Sequence, residues 1–294
     1  MLDRFQSLTQ INLDDLVAAL GLQNKSRVAG FARALLRRPA EVFARQMLEF
    51  DAVTEALGLA AGARHAERVL AREVRVFGRE KIPAGGFLAL SNHPGLTDTL
   101  ALFSALDRQD VMTIALERPF LTNLVNVGKQ LFFLPDEAIE RVALVRRVAR
   151  ALRDGRAVLT FPAGHIEPDP DVFRGAVDSL ATWTESAEIF VRLVPGTPVI
   201  PVCVRGVTWA GAASHPLLRL RTSLADRQLL ASAMQLLWQL LFGARLVAVS
   251  VQIGDPIVCG EGRQFDAEAL HRAVLDEMRR MIEQPPAGKW ESAL

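Results

Sequence analysis

Gly86-Phe87-Leu88-Ala89-Leu90-Ser91-Asn92-His93-Pro94-Gly95-Leu96-Thr97-Asp98 decides the fold, because three kinds of backbone follow one another within it. Phe87 to Leu90 is a short unbroken apolar run, the pattern of a buried strand. Pro94-Gly95 breaks it, and a helix starts at Thr97 and continues to Leu106. The stretch puts His93 at the strand's exit and Asp98 on the first helical turn. At that spacing the carboxylate can hold one imidazole nitrogen and leave the other free to take a proton from a hydroxyl. The two residues also suit a plain turn histidine and a carboxylate favoured by the helix dipole.

Outward from this unit the texture is that of an α/β protein. Short apolar runs at 74–77, 87–90, 111–115, 131–134, 157–161, 199–204 and 246–253 alternate with helical stretches. This predicts a mixed, largely parallel sheet of about seven strands flanked by helices. Before Glu73 there is helical periodicity and no strand alternation. The expected organisation is a helical N-terminal segment over 1–72, an α/β domain over 73–284 and a loose tail over 285–294. Within the first segment, Arg37-Arg38-Pro39 predicts the end of one helix and the start of another.

Composition narrows the function. Of 294 residues half are apolar, and 34 Lys+Arg nearly cancel 33 Asp+Glu, giving a formal net charge of +1. A nucleic-acid binder would show a basic excess, and with no Tyr and 6% aromatics there is little to stack on bases. Cys203 and Cys259 lack the close spacing of a metal or redox site and read as reduced core residues in strands, so no metal and no cofactor is expected. The first residues, Met1-Leu2-Asp3-Arg4-Phe5-Gln6, do not read as a secretory signal, which points to a cytoplasmic protein. The longest apolar helical candidate, 229–242, is interrupted by Gln235 and Gln239 and is shorter than the roughly 20 residues a membrane span requires.

Two further blocks stand at strand ends, where open α/β sheets place ligands. In Thr160-Phe161-Pro162-Ala163-Gly164-His165-Ile166-Glu167-Pro168, Gly164 permits a tight turn and close approach to a ligand. In Val194 to Gly206, Pro201 lies inside a strand, which predicts an edge or irregular strand shaping a pocket wall.

Taken in order, these blocks resemble the glycerol-phosphate and lysophosphatidate acyltransferase family, marked by N-H-x4-D. Asn92-His93 to Asp98 is similar to its first motif, Phe161-Pro162-Ala163-Gly164 to its third and Val199-Ile200-Pro201-Val202 to its fourth. Arg75 to Pro83 is similar to the lead-in and Val249 to Ile257 to the closing strand. The resemblance runs from about Val74 to Ile282. It implies transfer of a fatty acyl group from an acyl thioester, carried by coenzyme A or acyl carrier protein, to a hydroxyl of a lysophospholipid or related lipid. His93 would be the general base and Asp98 its orienting partner. Asn92, Gly95, Phe161, Pro162, Gly164, His165, Glu167 and Pro201 would line the substrate site, and backbone N–H groups near Gly164 or the helix start at Thr97 would meet the oxyanion.

The departures from the family pattern matter as much. Members that take phosphate-bearing acceptors usually read F-P-E-G-T-R-S in the third motif, where this chain has Ala163 and Ile166. The second motif survives only as Gly128 to Pro135, with Lys129 and Arg141 out of register. Arginine is the preferred bidentate phosphate partner, so a small phosphate monoester is disfavoured as acceptor. His165 and Glu167 would form a second titratable pair able to bind an amine or polyol head group, or else a turn cap and a solvated carboxylate. The stretch 229–242 with Arg227 and Arg245, and the N-terminal helices with Arg33, Arg37, Arg38 and Arg45, suit either a membrane surface or burial against the sheet. The resulting expectation is a peripheral enzyme on the inner face of the cell membrane. The other readings are a catalytically silent lipid-binding protein of the same fold and a thioesterase-like hydrolase, the latter weakened by the absence of a G-x-S-x-G elbow.

Overall fold

The computed structural model describes residues 2–22, 26–259 and 266–294. Met1, 23–25 and 260–265, which fall within the predicted segments, lie outside the described residues. Three helices come first, α1 (Leu2–Ala19), α2 (Ser26–Leu57) and α3 (Leu59–Leu70). Then follow β1 (Ala71–Phe77), β2 (Phe87–Ser91), α4 (Leu96–Leu106), β3 (Met112–Leu116), α5 (Pro119–Thr122), α6 (Val125–Gly128), β4 (Leu131–Leu134), α7 (Ala138–Arg153) and β5 (Ala157–Thr160). The remainder is α8 (Ser186–Leu193), β6 (Val199–Arg205), α9 (Ala210–Ala213), α10 (Leu224–Phe242), β7 (Val247–Ile253), α11 (Ala267–Glu283) and β8 (Glu291–Ser292).

The strands form one sheet in the order β4-β3-β5-β2-β6-β7-β1-β8. Pairings are parallel except β6 with β7 and β1 with β8. The expected mixed, largely parallel sheet is therefore present. Its burial follows the pleat. In β2, Phe87 and Ala89 enter the core shared with α3 and α4, while Leu88 and Leu90 enter the core shared with α7, α8 and α11. Because β5, β2 and β6 are parallel neighbours, their C-terminal ends emerge along one sheet edge. That edge carries the loops after Ser91, Thr160 and Arg205.

Four expectations are corrected. The break at Pro39 does not occur, and α2 runs through it. Leu35, whose carbonyl loses its helical partner to the proline ring, lies exposed to water, while Leu36, Ala40 and Phe43 are buried on either side of the proline. Tertiary burial outweighs the local breaker. The tail is not loose, since β8 pairs with β1, the Ala293 N–H donates to the Val74 carbonyl at 2.9 Å, and Trp290 packs on Phe77 with ring centroids 5.7 Å apart. This covers what would be an open sheet edge.

Pro201 lies in an interior strand rather than at an edge, beside Leu90 of β2. Its carbonyl accepts from the Gly254 N–H just past β7, so the missing N–H falls where the β6–β7 ladder ends. Cys259 lies outside any strand and is partly exposed, whereas Cys203 is buried in β6, and burial pushes its thiol up to about 11.

Candidate active site

The chain leaving β2 is fixed before it reaches His93. Asn92, 3% exposed, donates from Nδ2 to the Val204 carbonyl at 2.8 Å and accepts the Val204 N–H at Oδ1 at 2.7 Å. Its amide thus continues the β2–β6 ladder by one side-chain rung. Both polar ends of Asn92 are spent on the main chain, so its role is to position the next residue rather than to bind substrate.

His93 Nδ1 lies 2.8 Å from Asp98 Oδ2. Asp98 is fully buried, and it also accepts the Gly95 N–H at 2.8 Å and the Thr99 hydroxyl at 2.9 Å. A carboxylate that only accepts requires Nδ1 to carry hydrogen, which leaves the lone pair on Nε2. The Phe161 ring packs against the imidazole with centroids 4.5 Å apart at 33°. The His93 side chain keeps 27% of its surface open. Burial alone would lower its pKa, but the charge of Asp98, the hydrogen bond to it and the charge of Glu167 outweigh that and raise it above the ordinary value of 6.5. The arrangement is a fixed, accessible base able to take a proton from a hydroxyl and to stabilise the cation that results. Ser91, the neighbouring hydroxyl, is fully buried and donates to the Asn92 carbonyl, so it is not presented as a nucleophile.

The turn after β5 behaves differently from its sequence reading. Phe161 does reach the His93 ring, while Pro162 is buried and its carbonyl accepts both the N–H and the hydroxyl of Thr184 at 3.2 Å. Gly164 has φ +67, a conformation suited to glycine, but its N–H donates to the Phe161 carbonyl at 3.0 Å. That N–H closes the turn and is not free for an oxyanion. His165 and Glu167 do not form a pair at the site. His165 is exposed and its Nδ1 bonds the Ala163 carbonyl at 2.7 Å. Glu167 is 1% exposed and points inward, where Oε2 accepts the His93 N–H at 3.0 Å and Oε1 accepts from Trp183 Nε1 at 2.8 Å and Ser179 at 3.1 Å. It is neither a head-group ligand nor solvated. Lys129 and Arg141 are engaged with Asn126 and with the Pro135 carbonyl.

Several site-building residues had no reading in the sequence. Asp169, fully buried, accepts the N–H groups of Gly206 at 3.0 Å, Thr208 at 2.8 Å and Asp171 at 3.1 Å, tying the β5 loop to the β6 loop. Burial raises its pKa against the pull of those bonds. On α10, Gln228 donates to the Glu167 carbonyl, Gln235 bonds the Val207 carbonyl and the Trp209 N–H, and Gln239 reaches the Leu70 carbonyl. Their positions, 228, 235 and 239, mark one helical face and were the available signal. Among the described residues no group of three or more His, Cys, Asp or Glu is placed to hold a metal ion.

Residues 73–205 match the family model named Acyltransferase, a span that includes His93, Asp98, Phe161 and Glu167. Among solved structures, the 1-acyl-sn-glycerophosphate (LPA) acyltransferase PlsC from Thermotoga maritima is similar at 17% identity, with 97% of this chain and 95% of that chain covered and a TM-score of 0.45. No curated protein matches.

Proposed function

We propose that this chain, whose residues 73–205 match the Acyltransferase family model, moves a fatty acyl group from an acyl thioester to the hydroxyl of a lipid acceptor, with His93 as general base. The observation that carries the reading is the His93–Asp98 bond at 2.8 Å, which fixes Nε2 as the free nitrogen. As the acceptor oxygen attacks the thioester carbon, its proton moves to Nε2. The tetrahedral oxyanion then collapses, the carbon–sulfur bond breaks, and the leaving thiolate takes the proton from Nε2. Asp98 stays ionised and stabilises the imidazolium in between. With the Gly164 N–H committed to its turn, the first turn of α4 supplies the N–H donors for the oxyanion. Coenzyme A and acyl carrier protein are the two carriers of such a thioester.

Ala163 and Ile166 stand where the phosphate-binding pattern has its charged pair, which supports an acceptor other than a small phosphate monoester. The acceptor is met at a membrane surface through α10, which buries three glutamines beside Leu230, Ala231 and Ala233 and leaves an apolar stripe exposed. Gln228, Gln235 and Gln239 face inward, while Leu229, Trp238, Leu241 and Phe242 face outward beside exposed Arg227 and Arg245. An aliphatic–aromatic stripe rimmed by arginine suits an anionic bilayer interface. No helix among the described residues is long and apolar enough to cross one.

The reading is tested with a long-chain acyl-coenzyme A and a panel of lysophospholipids and other lipid alcohols, following thiol release and acylated lipid together. Acylated lipid is expected, with the rate lowered about 10²–10⁴-fold in His93→Ala. Full activity in that variant overturns the base. Thiol release with free fatty acid alone makes the protein a thioester hydrolase, and no turnover on any acceptor makes it a lipid-binding protein.

A further inference from the structure

Glu167 holds His93 at two points of the main chain. Its side-chain Oε2 accepts the His93 N–H at 3.0 Å, and its own N–H donates to the His93 carbonyl at 2.8 Å. Two other parts of the chain, residues 179–183 and α10, hold Glu167 in turn. The hydroxyl of Ser179 lies 3.1 Å and the indole N–H of Trp183 2.8 Å from Oε1, and Gln228 of α10 donates to its carbonyl at 2.8 Å. A carboxylate buried to 1% exposure is costly unless its oxygens are filled, and here they are filled by three donors. The bonds of Glu167 join residues 179–183 and α10 to the main chain of His93, the residue that carries the base.

We propose that Glu167 is a positioning residue for His93, clasping its main chain so that Nε2 is presented at one fixed place, with its negative charge favouring the imidazolium formed when the base takes a proton. This rests on His93 being the base. The charged groups acting on His93 are Asp98 from α4 and Glu167 from the β5 loop, and the charged group acting on Glu167 is His165. The side chains facing Glu167 from the other packed elements, Ser179, Trp183 and Gln228, are uncharged. Asp98 and Glu167 therefore act on the imidazole from two sides. Asp98 acts on the ring directly, and Glu167 acts through the backbone and by charge.

The test is Glu167→Gln, which keeps the size and removes the charge. With folding verified by circular dichroism, kcat is expected to fall about 10- to 100-fold with KM nearly unchanged, because misplacing a base by a fraction of an ångström costs rate and not binding. The acid limb of the pH–rate profile is expected to move to lower pH. Glu167→Asp, which keeps the charge but shortens the reach, should lower kcat while leaving the limb closer to that of the parent. A folded Glu167→Gln with the parent's kcat and limb overturns the proposal, and so does one with a raised KM at unchanged kcat, which would make Glu167 an acceptor ligand. If Glu167→Gln does not fold, Trp183→Phe removes only the donor to Oε1 and should lower kcat several-fold at constant KM, and no change there overturns the proposal. Titrating the His93 imidazole by NMR separates this idea from the proposed reaction. Glu167→Gln should lower its pKa whether or not an acceptor is found, and an unmoved titration counts against Glu167 even in an active enzyme.

Discussion

Asn92 and Val204, 112 positions apart, are joined through both polar ends of one side chain, at 2.8 and 2.7 Å. The bond pair closes the gap between β2 and β6 at the point where β2 delivers His93. Replacing Asn92 with Ala leaves the buried N–H and C=O of Val204 without partners. Each lost partner costs about 1–3 kcal/mol, so Asn92→Ala is expected to lose about 2–6 kcal/mol in urea unfolding. Its kcat should fall more than its KM rises. A stability equal to the parent's within the roughly 10–15% uncertainty of the extrapolation would mean water replaces the amide.

The Asp98 carboxylate makes activity and stability move in opposite directions with pH. Proton transfer to His93 needs the neutral imidazole, so kcat/KM should rise with pH through a pKa above 6.5. A histidine whose folded pKa is raised contributes stability that is fully present below its unfolded value and is lost as pH rises through the folded value. The contribution of the pair to folding therefore fades over the same window in which the base becomes available. Asp98→Asn removes the charge, and because the oxygen that holds Nδ1 also accepts the Gly95 N–H, the amide oxygen keeps that place and the bond to Nδ1 survives without its charge. A rate about 10²–10⁴-fold lower is expected, with the acid limb shifted to lower pH, and an unshifted limb would show that the carboxylate does not set the titration.

The seven longer strands and the His93–Asp98 pair were legible because their signals are local. An apolar run of four to seven residues and a five-residue step across a Pro-Gly turn carry their meaning within the segment itself. What was not legible depends on residues far along the chain. The inward turn of Glu167 is set by His93, Ser179, Trp183 and Gln228, at sequence separations up to 74, and nothing in His165-Ile166-Glu167 reveals it. Two-residue β8 has no periodicity to read, and its anchor is the Trp290 ring on Phe77. Pro39 was read by its local rule, which burial of Leu36, Ala40 and Phe43 overrides.

Glu67 of α3 is fully buried, takes the Ser104 hydroxyl at 2.7 Å on Oε1 and leaves Oε2 without a partner. Burial raises its pKa to about 7, against the pull of that bond and of Arg64. A carboxyl so raised contributes stability in full below its unfolded value of 4.5, and the contribution is lost as pH rises through about 7. Glu67→Gln cannot ionise. Thermal unfolding should show it no more stable than the parent near pH 4.5 and more stable by about 1–3 kcal/mol above pH 8. Parallel pH–stability curves for the two proteins would mean that Glu67 is ionised in the folded state without cost.

The exposed apolar stripe of α10 makes a sharp demand on its outer face. Leu241 is 58% and Phe242 65% exposed, so both can change without opening the core, whereas Trp238 also packs on Trp209 with ring centroids 5.8 Å apart. Leu236 is unsuitable for such a test, because it packs against two buried clusters. The double variant Leu241→Ser, Phe242→Ser should float poorly with vesicles of phosphatidylcholine and phosphatidylglycerol, to which the parent binds, and its melting temperature should stay close to the parent's. Binding should weaken as salt screens Arg227 and Arg245 from the anionic lipid. Turnover of a short-chain, water-soluble acceptor should be unaffected, because the glutamines that brace Val207, Trp209 and Glu167 remain on the inner face. If the double variant floats as well as the parent, the bilayer contacts another surface. If instead the parent is a dimer that these substitutions split, the stripe is a protein interface, and the lipid would have to reach His93 without it.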